Sequence, residues 1–145
     1  MKENDTVIFI TKKGSYLNVK SHWRLCAILK VKIVFENHLK ASEWYKKNNE
    51  MIPSNCMVQG NIPNDLDRTI GARKHESLEK WDLGYKIRSR KWPVFVVTNT
   101  IFKELDSPPI ITEEDMISIF KRIPATRNPP QIKKSEYENV LKMTN

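Results

Sequence analysis

The sequence predicts an α+β fold: a small mixed β-barrel or strongly bent sheet flanked by helices, one domain over residues 1–145 with residues 133–145 as a C-terminal helix. Three observations carry this reading. A twelve-residue run alternates apolar and mixed positions, strand and helix patterns follow in the order β-β-α-loop-α-β-α-α, and no segment repeats another. At 145 residues the chain is long enough to bury a sizeable core without disulfide or metal staples.

Thr6–Thr11 (TVIFIT) reads as a short strand, joined to the next by a basic stretch containing Lys12, Lys13, Gly14 and Lys20. From Arg24 to Phe35 the odd positions Leu25, Ala27, Leu29, Val31, Ile33 and Phe35 are all apolar. The even positions Arg24, Cys26, Ile28, Lys30, Lys32 and Val34 are mixed, so one face meets a core and the other is partly wet. Such a strand would span about 40 Å at roughly 3.3 Å per residue, which predicts a bend between sheets or around a barrel. Asn37 caps a helix over His38–Lys47 that puts Ala41, Trp44 and Tyr45 on one face. Residues 75–91 suit a second helix with the stripe Leu78, Trp81, Tyr85, Arg88 and Trp92, although Gly84 inside it costs about 1 kcal/mol relative to Ala. Val94–Thr98 (VFVVT) reads as a strand buried on both faces. Thr112 and Asp115 form a capping-box-like start for a helix whose stripe is Met116, Ile119, Phe120 and Ile123. A last helix near Ser135–Lys142 follows the Pro129-Pro130 stop and carries Tyr137, Val140 and Leu141. Tyr16–Lys20 and Met57–Gln59 are weaker strand patterns.

Charge is distributed unevenly. The net charge is +8, and residues 93–145 contribute none of it, with seven basic residues against seven acidic. All four tryptophans (Trp23, Trp44, Trp81 and Trp92) lie in the charged front of the chain. Cations attract phosphate and flat rings stack on bases, so this interleaving is the composition of a nucleic-acid surface. The first residues carry no signal-peptide anatomy, and no apolar run approaches the roughly 20 residues of a membrane span. Cys26 and Cys56 make neither a disulfide framework nor a zinc spacing, which makes a reducing cytoplasm the expected setting.

Candidate site residues follow from local context. Trp23 beside Arg24, and Trp92 beside Lys91, lie at element edges and are the stacking candidates, whereas Trp44, Trp81 and Tyr85 sit in core-like stripes. Lys12, Lys13, Arg88, Arg90 and Lys91 are candidate phosphate contacts, although charge runs are often no more than solvated faces. Residues 51–66 form a long loop in which Ser54, Asn55 and Cys56 either face a ligand or fold back as a self-capped turn. Ile123–Ile132 holds Arg127 among prolines, either pre-positioned for an anion or paired with a neighbouring carboxylate. Cys56 with His22, His38 or His75 would be a thiolate pair only by unusual placement, and Glu113, Glu114 and Asp115 are explained as helix-start charges. No catalytic residue, metal site or cofactor is expected.

The Asp-led strand Asn4-Asp5-Thr6-Val7-Ile8-Phe9-Ile10, followed by Arg24-Leu25-Cys26-Ala27-Ile28-Leu29-Lys30-Val31, resembles the PUA-like superfamily, which includes the EVE, ASCH and YTH domains. The resemblance covers residues 4–36 and implies a small mixed β-barrel flanked by helices that binds RNA or DNA, in some members by reading a modified base. Members of that group place a further strand before the Asp-led one. The expected function is therefore nucleic-acid binding, with a modified or flipped base held in an aromatic and polar pocket with a basic rim. One alternative is an adaptor whose basic face binds an acidic protein partner. Another is a nucleotide or small-molecule sensor. No membrane partner is expected.

Overall fold

The computed structural model describes residues 1–15, 20–61, 83–125 and 129–144, with the backbone alone for 83–85. Its elements are β1 (Thr6–Ile10), β2 (Trp23–Phe35), α1 (His38–Lys47), α2 (Leu83–Lys91), β3 (Phe95–Lys103), β4 (Ile110–Ile111), α3 (Glu113–Phe120) and α4 (Lys134–Leu141), with a closing 3-10 turn over Lys142–Thr144. The fold is α+β around a four-stranded antiparallel sheet in the order β1-β2-β3, with β4 also pairing β2. Among the described residues the sheet is open, which removes the barrel of the two expected forms, barrel or bent sheet: β1 and β3 end the strand order instead of meeting each other.

The register explains why simple alternation misplaces one residue of β2. Phe9 pairs Ala27 but Ile10 pairs Leu25, so Cys26 is an extra residue in β2. Its carbonyl accepts from the Glu104 N–H instead, at 2.9 Å. An extra residue bends a strand and shifts its side-chain parity. Trp23, Leu25 and Ile28 consequently enter one core, spaced by two and then by three, although Ile28 belongs to the mixed set by strict alternation.

Contacts divide the chain into two compact units, residues 1–3 with 32–97 (the α1 unit) and residues 4–31 with 98–145 (the hairpin unit). The hairpin unit is built on β1 and the front of β2, extended by the Thr11 N–H to Arg24 carbonyl bond and the Gly14–His22 bridge. Its core joins Trp23, Leu25 and Ile28 to Ile111, Met116, Phe120 and Val140. The pattern had no signal for β4, whose two residues pair Trp23 and Arg24. The capping box of α3 is reciprocal: Thr112 Oγ1 accepts from the Asp115 N–H at 3.1 Å and Asp115 Oδ2 from the Thr112 N–H at 2.8 Å. Lys121 then turns left-handed (φ 57°), which ends the helix before Ile123 and leaves that side chain exposed, against its expected place in the stripe. In α4, Val140 is fully buried, and Glu136 accepts from the Lys133 N–H at 2.5 Å.

In the α1 unit, Asn37 caps α1 by accepting from the Lys40 N–H at 2.9 Å. Ala41 is fully buried with Cys56, Phe95 and Val97, and half-buried Trp44, Tyr45 and Phe35 pack around them. Their rings meet at tilted or edge-on angles, Trp44–Tyr45 at 5.1 Å and Tyr45–Phe95 at 6.4 Å between centroids, as aromatic quadrupoles prefer. β3 runs to Lys103, well beyond the expected end at Thr98, and alternates: Phe95 and Val97 are buried while Val94, just before it, is exposed. Met57–Gln59 is loop, not strand. The expected strand over Tyr16–Lys20, for residues 16–19, and the expected helix over residues 75–82, with Leu78 and Trp81, lie outside the described residues, as does the Tyr85 side chain. Among the described residues no helix is long and apolar enough to cross a membrane.

Candidate nucleic-acid interface

The two stacking candidates separate completely. Trp23 opens β2, but its partner β4 and helix α3 place it in the core at 6 % exposure, so it has no open face for a base. Trp92 follows α2 and is 57 % exposed. Each ring carries a cation: the Lys13 ammonium lies 4.7 Å from the Trp23 centroid and that of Lys91 lies 4.8 Å from Trp92. Half-buried Trp44 has Lys32 at 5.4 Å and packs against Phe35, as its stripe position implies.

The cations divide in the same way. In the hairpin unit Lys13 bonds Glu113 Oε2 at 2.5 Å, a pair that also holds the Glu113 carboxyl below the usual carboxylate range, with a smaller contribution from Lys20. Arg24 is half-buried and donates through Nε to His22 Nε2 at 3.2 Å. His22 Nδ1 donates to the Lys20 carbonyl at 2.8 Å, so buried His22 is held in one tautomer by its neighbours. Lys12 is exposed. In the α1 unit, Arg88 is half-buried and Arg90 and Lys91 are exposed, all in the last turn of α2. There they complement the negative end of the helix dipole, whatever else they bind.

His38 anchors Trp92. Its Nδ1 accepts from the Met57 N–H at 3.0 Å, which fixes the proton on Nε2, and Nε2 donates to the Trp92 carbonyl at 3.2 Å. The ring lies edge-on to Phe95 at 5.2 Å and is 5 % exposed. One buried imidazole thus ties the start of α1, the loop after it and the end of α2 together. Both ring nitrogens are occupied, so His38 is not placed as a general base.

Of the two readings of the loop carrying Ser54, Asn55 and Cys56, facing a ligand or folding back as a self-capped turn, the second describes it, because the loop is held by its own chain. The Cys56 N–H donates to the Pro53 carbonyl at 2.9 Å, and Asn61 Nδ2 donates to the carbonyls of Pro53 (2.9 Å) and Cys56 (2.8 Å). Cys56 is fully buried, and its thiol donates to the His38 carbonyl at 3.3 Å. Burial pushes the thiol up to about 11, the opposite of an activated nucleophile. Cys56 therefore leaves the pocket set, because its side chain points into the core. Ser54 is half-buried and Asn55 exposed, and Arg127 lies outside the described residues.

An open cavity of about 260 Å³ is lined instead by Asn37, His38, Leu39, Met57, Val58, Gln59 and Ser89. Its walls come from residues up to 52 positions apart, Asn37 to Ser89, so no local pattern could have marked them. Among the described residues no three His, Cys, Asp or Glu side chains cluster as a metal site. Comparison with family models, with curated proteins and with solved structures found no match.

Proposed function

We propose that this chain binds single-stranded or unpaired nucleic acid through the α1 unit. The observation that carries the reading is Trp92, an exposed indole with the Lys91 ammonium 4.8 Å from its centroid, at the end of a helix turn that also carries Arg88 and Arg90. A base stacked on Trp92 would gain about 1–3 kcal/mol. The neighbouring cations would hold the backbone phosphates and make affinity fall with salt. Ser89, one turn before Trp92, lines the cavity with Asn37 and Gln59; the Gln59 amide supplies donor and acceptor to the edge of a base, while the Asn37 oxygen is committed to capping α1. The resemblance of residues 4–36 to the PUA-like superfamily makes a modified or flipped base the ligand to test.

A second reading rests on exposed Leu39, Ile87, Trp92 and Val94 in the same unit, apolar side chains beside cations that also suit an acidic protein partner. Fluorescence anisotropy of labelled RNA and DNA oligonucleotides across a salt series separates the two. Salt-sensitive binding that Trp92→Ala weakens at least about fivefold supports the nucleic-acid reading. No binding at low salt removes it and leaves the protein partner.

A further inference from the structure

The cavity and the exposed indole of the α1 unit are two separate places. Among the described residues Trp92 is not one of the cavity's walls, so a base lodged in the cavity does not also lie on the indole. At about 260 Å³ the cavity is below the roughly 300–1,000 Å³ of sites for drug-sized ligands, which suits one base and not a whole nucleotide. The two places are one helical turn apart. Ser89 in the cavity wall precedes Trp92 by three residues, and the Trp92 N–H donates to the Arg88 carbonyl at 2.8 Å, so the turn of α2 continues through Trp92. Residues so spaced hold their Cβ atoms about 5–6 Å apart on one face, whereas stacked neighbours in a strand rise about 3.4 Å. Buried His38 sets the separation. Its ring accepts from the Met57 N–H of the cavity wall at 3.0 Å and donates to the Trp92 carbonyl at 3.2 Å. All of these residues belong to the α1 unit.

We infer that the cavity and Trp92 hold two consecutive, unstacked bases of one single strand, and that His38 is the positioning residue that keeps the two places one nucleotide apart. The inference rests on the nucleic-acid reading above and fixes its minimal ligand as a dinucleotide. One base enters the cavity between the apolar side chains of Leu39, Met57 and Val58 and sets an edge on the Gln59 amide. Its neighbour lies on the indole face away from the Lys91 ammonium. Splayed bases of this kind belong to single strands, because a duplex keeps its bases stacked and paired. Binding the first base makes binding of the second intramolecular, and the gain is largest when the span of the two places matches the link between the bases. Both nitrogens of His38 are taken by backbone, so it acts on the strand through Met57 and Trp92 and not by a hydrogen bond of its own.

The test follows the Trp92 indole N–H and the Gln59 side-chain amide by NMR during titration with the dinucleotide pApA and with the same dinucleotide lacking one base or the other. The three ligands carry the same phosphates, so their differences report the bases alone. In wild type pApA should move both signals with one midpoint, at least about fivefold below that of either one-base ligand. In His38→Asn the shorter side chain can still accept from the Met57 N–H but does not reach the Trp92 carbonyl. The one-base ligands should then bind as in wild type, while the advantage of pApA shrinks to about twofold or less. Equal weakening of all three ligands would make His38 a structural residue only and overturns its positioning role. Trp92→Ala tests the two places without touching His38: pApA should fall to the level of a one-base ligand and still move the Gln59 amide. Loss of the Gln59 response along with the indole would mean one base in one place, which overturns the inference. So do equal midpoints for the three ligands in wild type. If oligonucleotides bind through Trp92 while those midpoints are equal, the nucleic-acid reading stands and the two-base site falls. If no oligonucleotide binds at low salt, both fall.

Discussion

The α1 unit and the hairpin unit carry the same net charge, +4 each, from 13 basic against 9 acidic residues in the first and 12 against 8 in the second. They differ in what holds them together. The hairpin unit buries large apolar side chains, Trp23, Leu25, Ile28, Ile111, Met116, Phe120 and Val140, in one cluster. Among the described residues the α1 unit has a smaller buried cluster, Ala41, Cys56, Phe95 and Val97, and both units bury polar groups bonded to backbone: His38, Ser42 and the Cys56 thiol in this one, His22 and Glu136 in the other. Apolar burial is non-directional and scales with area, whereas a buried polar contact is worth little net and costs much when one partner is lost. The hairpin unit's larger described cluster therefore depends more on volume, while each unit also depends on the completeness of a few bonds. The same contrast separates their tryptophans, one committed to packing and one left to solvent. Net charge alone would not have distinguished the units as binding surfaces.

The sharpest break in that comparison is Trp23→Ala. It should cost about 3–5 kcal/mol in urea unfolding, because a buried indole leaves a cavity that β4 and α3 cannot fill. A loss below 1 kcal/mol would mean that Trp23 is not core. Next in size, His38→Ala should cost about 1–3 kcal/mol, since it leaves the part-buried Met57 N–H and the Trp92 carbonyl without their partner together. Amide exchange should rise at Met57 before it rises in β1, which would locate the damage in the α1 unit.

Cys56 sharpens the comparison through pH. Its thiol is raised from 9.0 to about 11 in the fold, so the protonated form is favoured there. The associated stability is complete below about pH 9 and is lost as pH rises toward 11, because the unfolded thiol ionises first. A Cys56→Ser protein should lose less stability across that window than wild type. In native protein at pH 8, iodoacetamide should modify Cys56 far more slowly than in urea.

The smallest expected change in stability is at Trp92. Trp92→Ala should stay within about 0.5 kcal/mol of wild type on unfolding, as surface substitutions do. Its effect belongs to binding, where the loss of stacking should weaken a single-stranded oligonucleotide by about 1–3 kcal/mol without altering the salt slope. Equal stability losses for Trp23→Ala and Trp92→Ala would erase the distinction between the two rings.

Much of the local structure was legible because its causes are local. Asn37 bonds an N–H three residues on, and Thr112 and Asp115 bond each other across the same distance, so both caps stand in the sequence as patterns. The alternation of β2 was legible for the same reason, up to the residue where it fails. Cys26 looks like any other strand position, and only pairing with β1 makes it the extra residue that sends Ile28 into the core. β4 was invisible, since two isoleucines have no period of their own. At the candidate site, Lys91 and Trp92 were readable as neighbours. The tie from His38 to Trp92 spans 54 residues and the pair Lys13–Glu113 spans 100, so neither leaves a local trace.

The sequence by itself determined the α+β class, the caps, the main strand and the concentration of cations and indoles in the front of the chain, because propensity, periodicity and charge act over a few residues. Only the tertiary structure decided which tryptophan is buried and which exposed, which lysine already holds a carboxylate, and that the Cys56 thiol turns inward. Burial and ion pairing depend on what the rest of the chain brings to a side chain, and segments distant in sequence supply it only once the chain has folded.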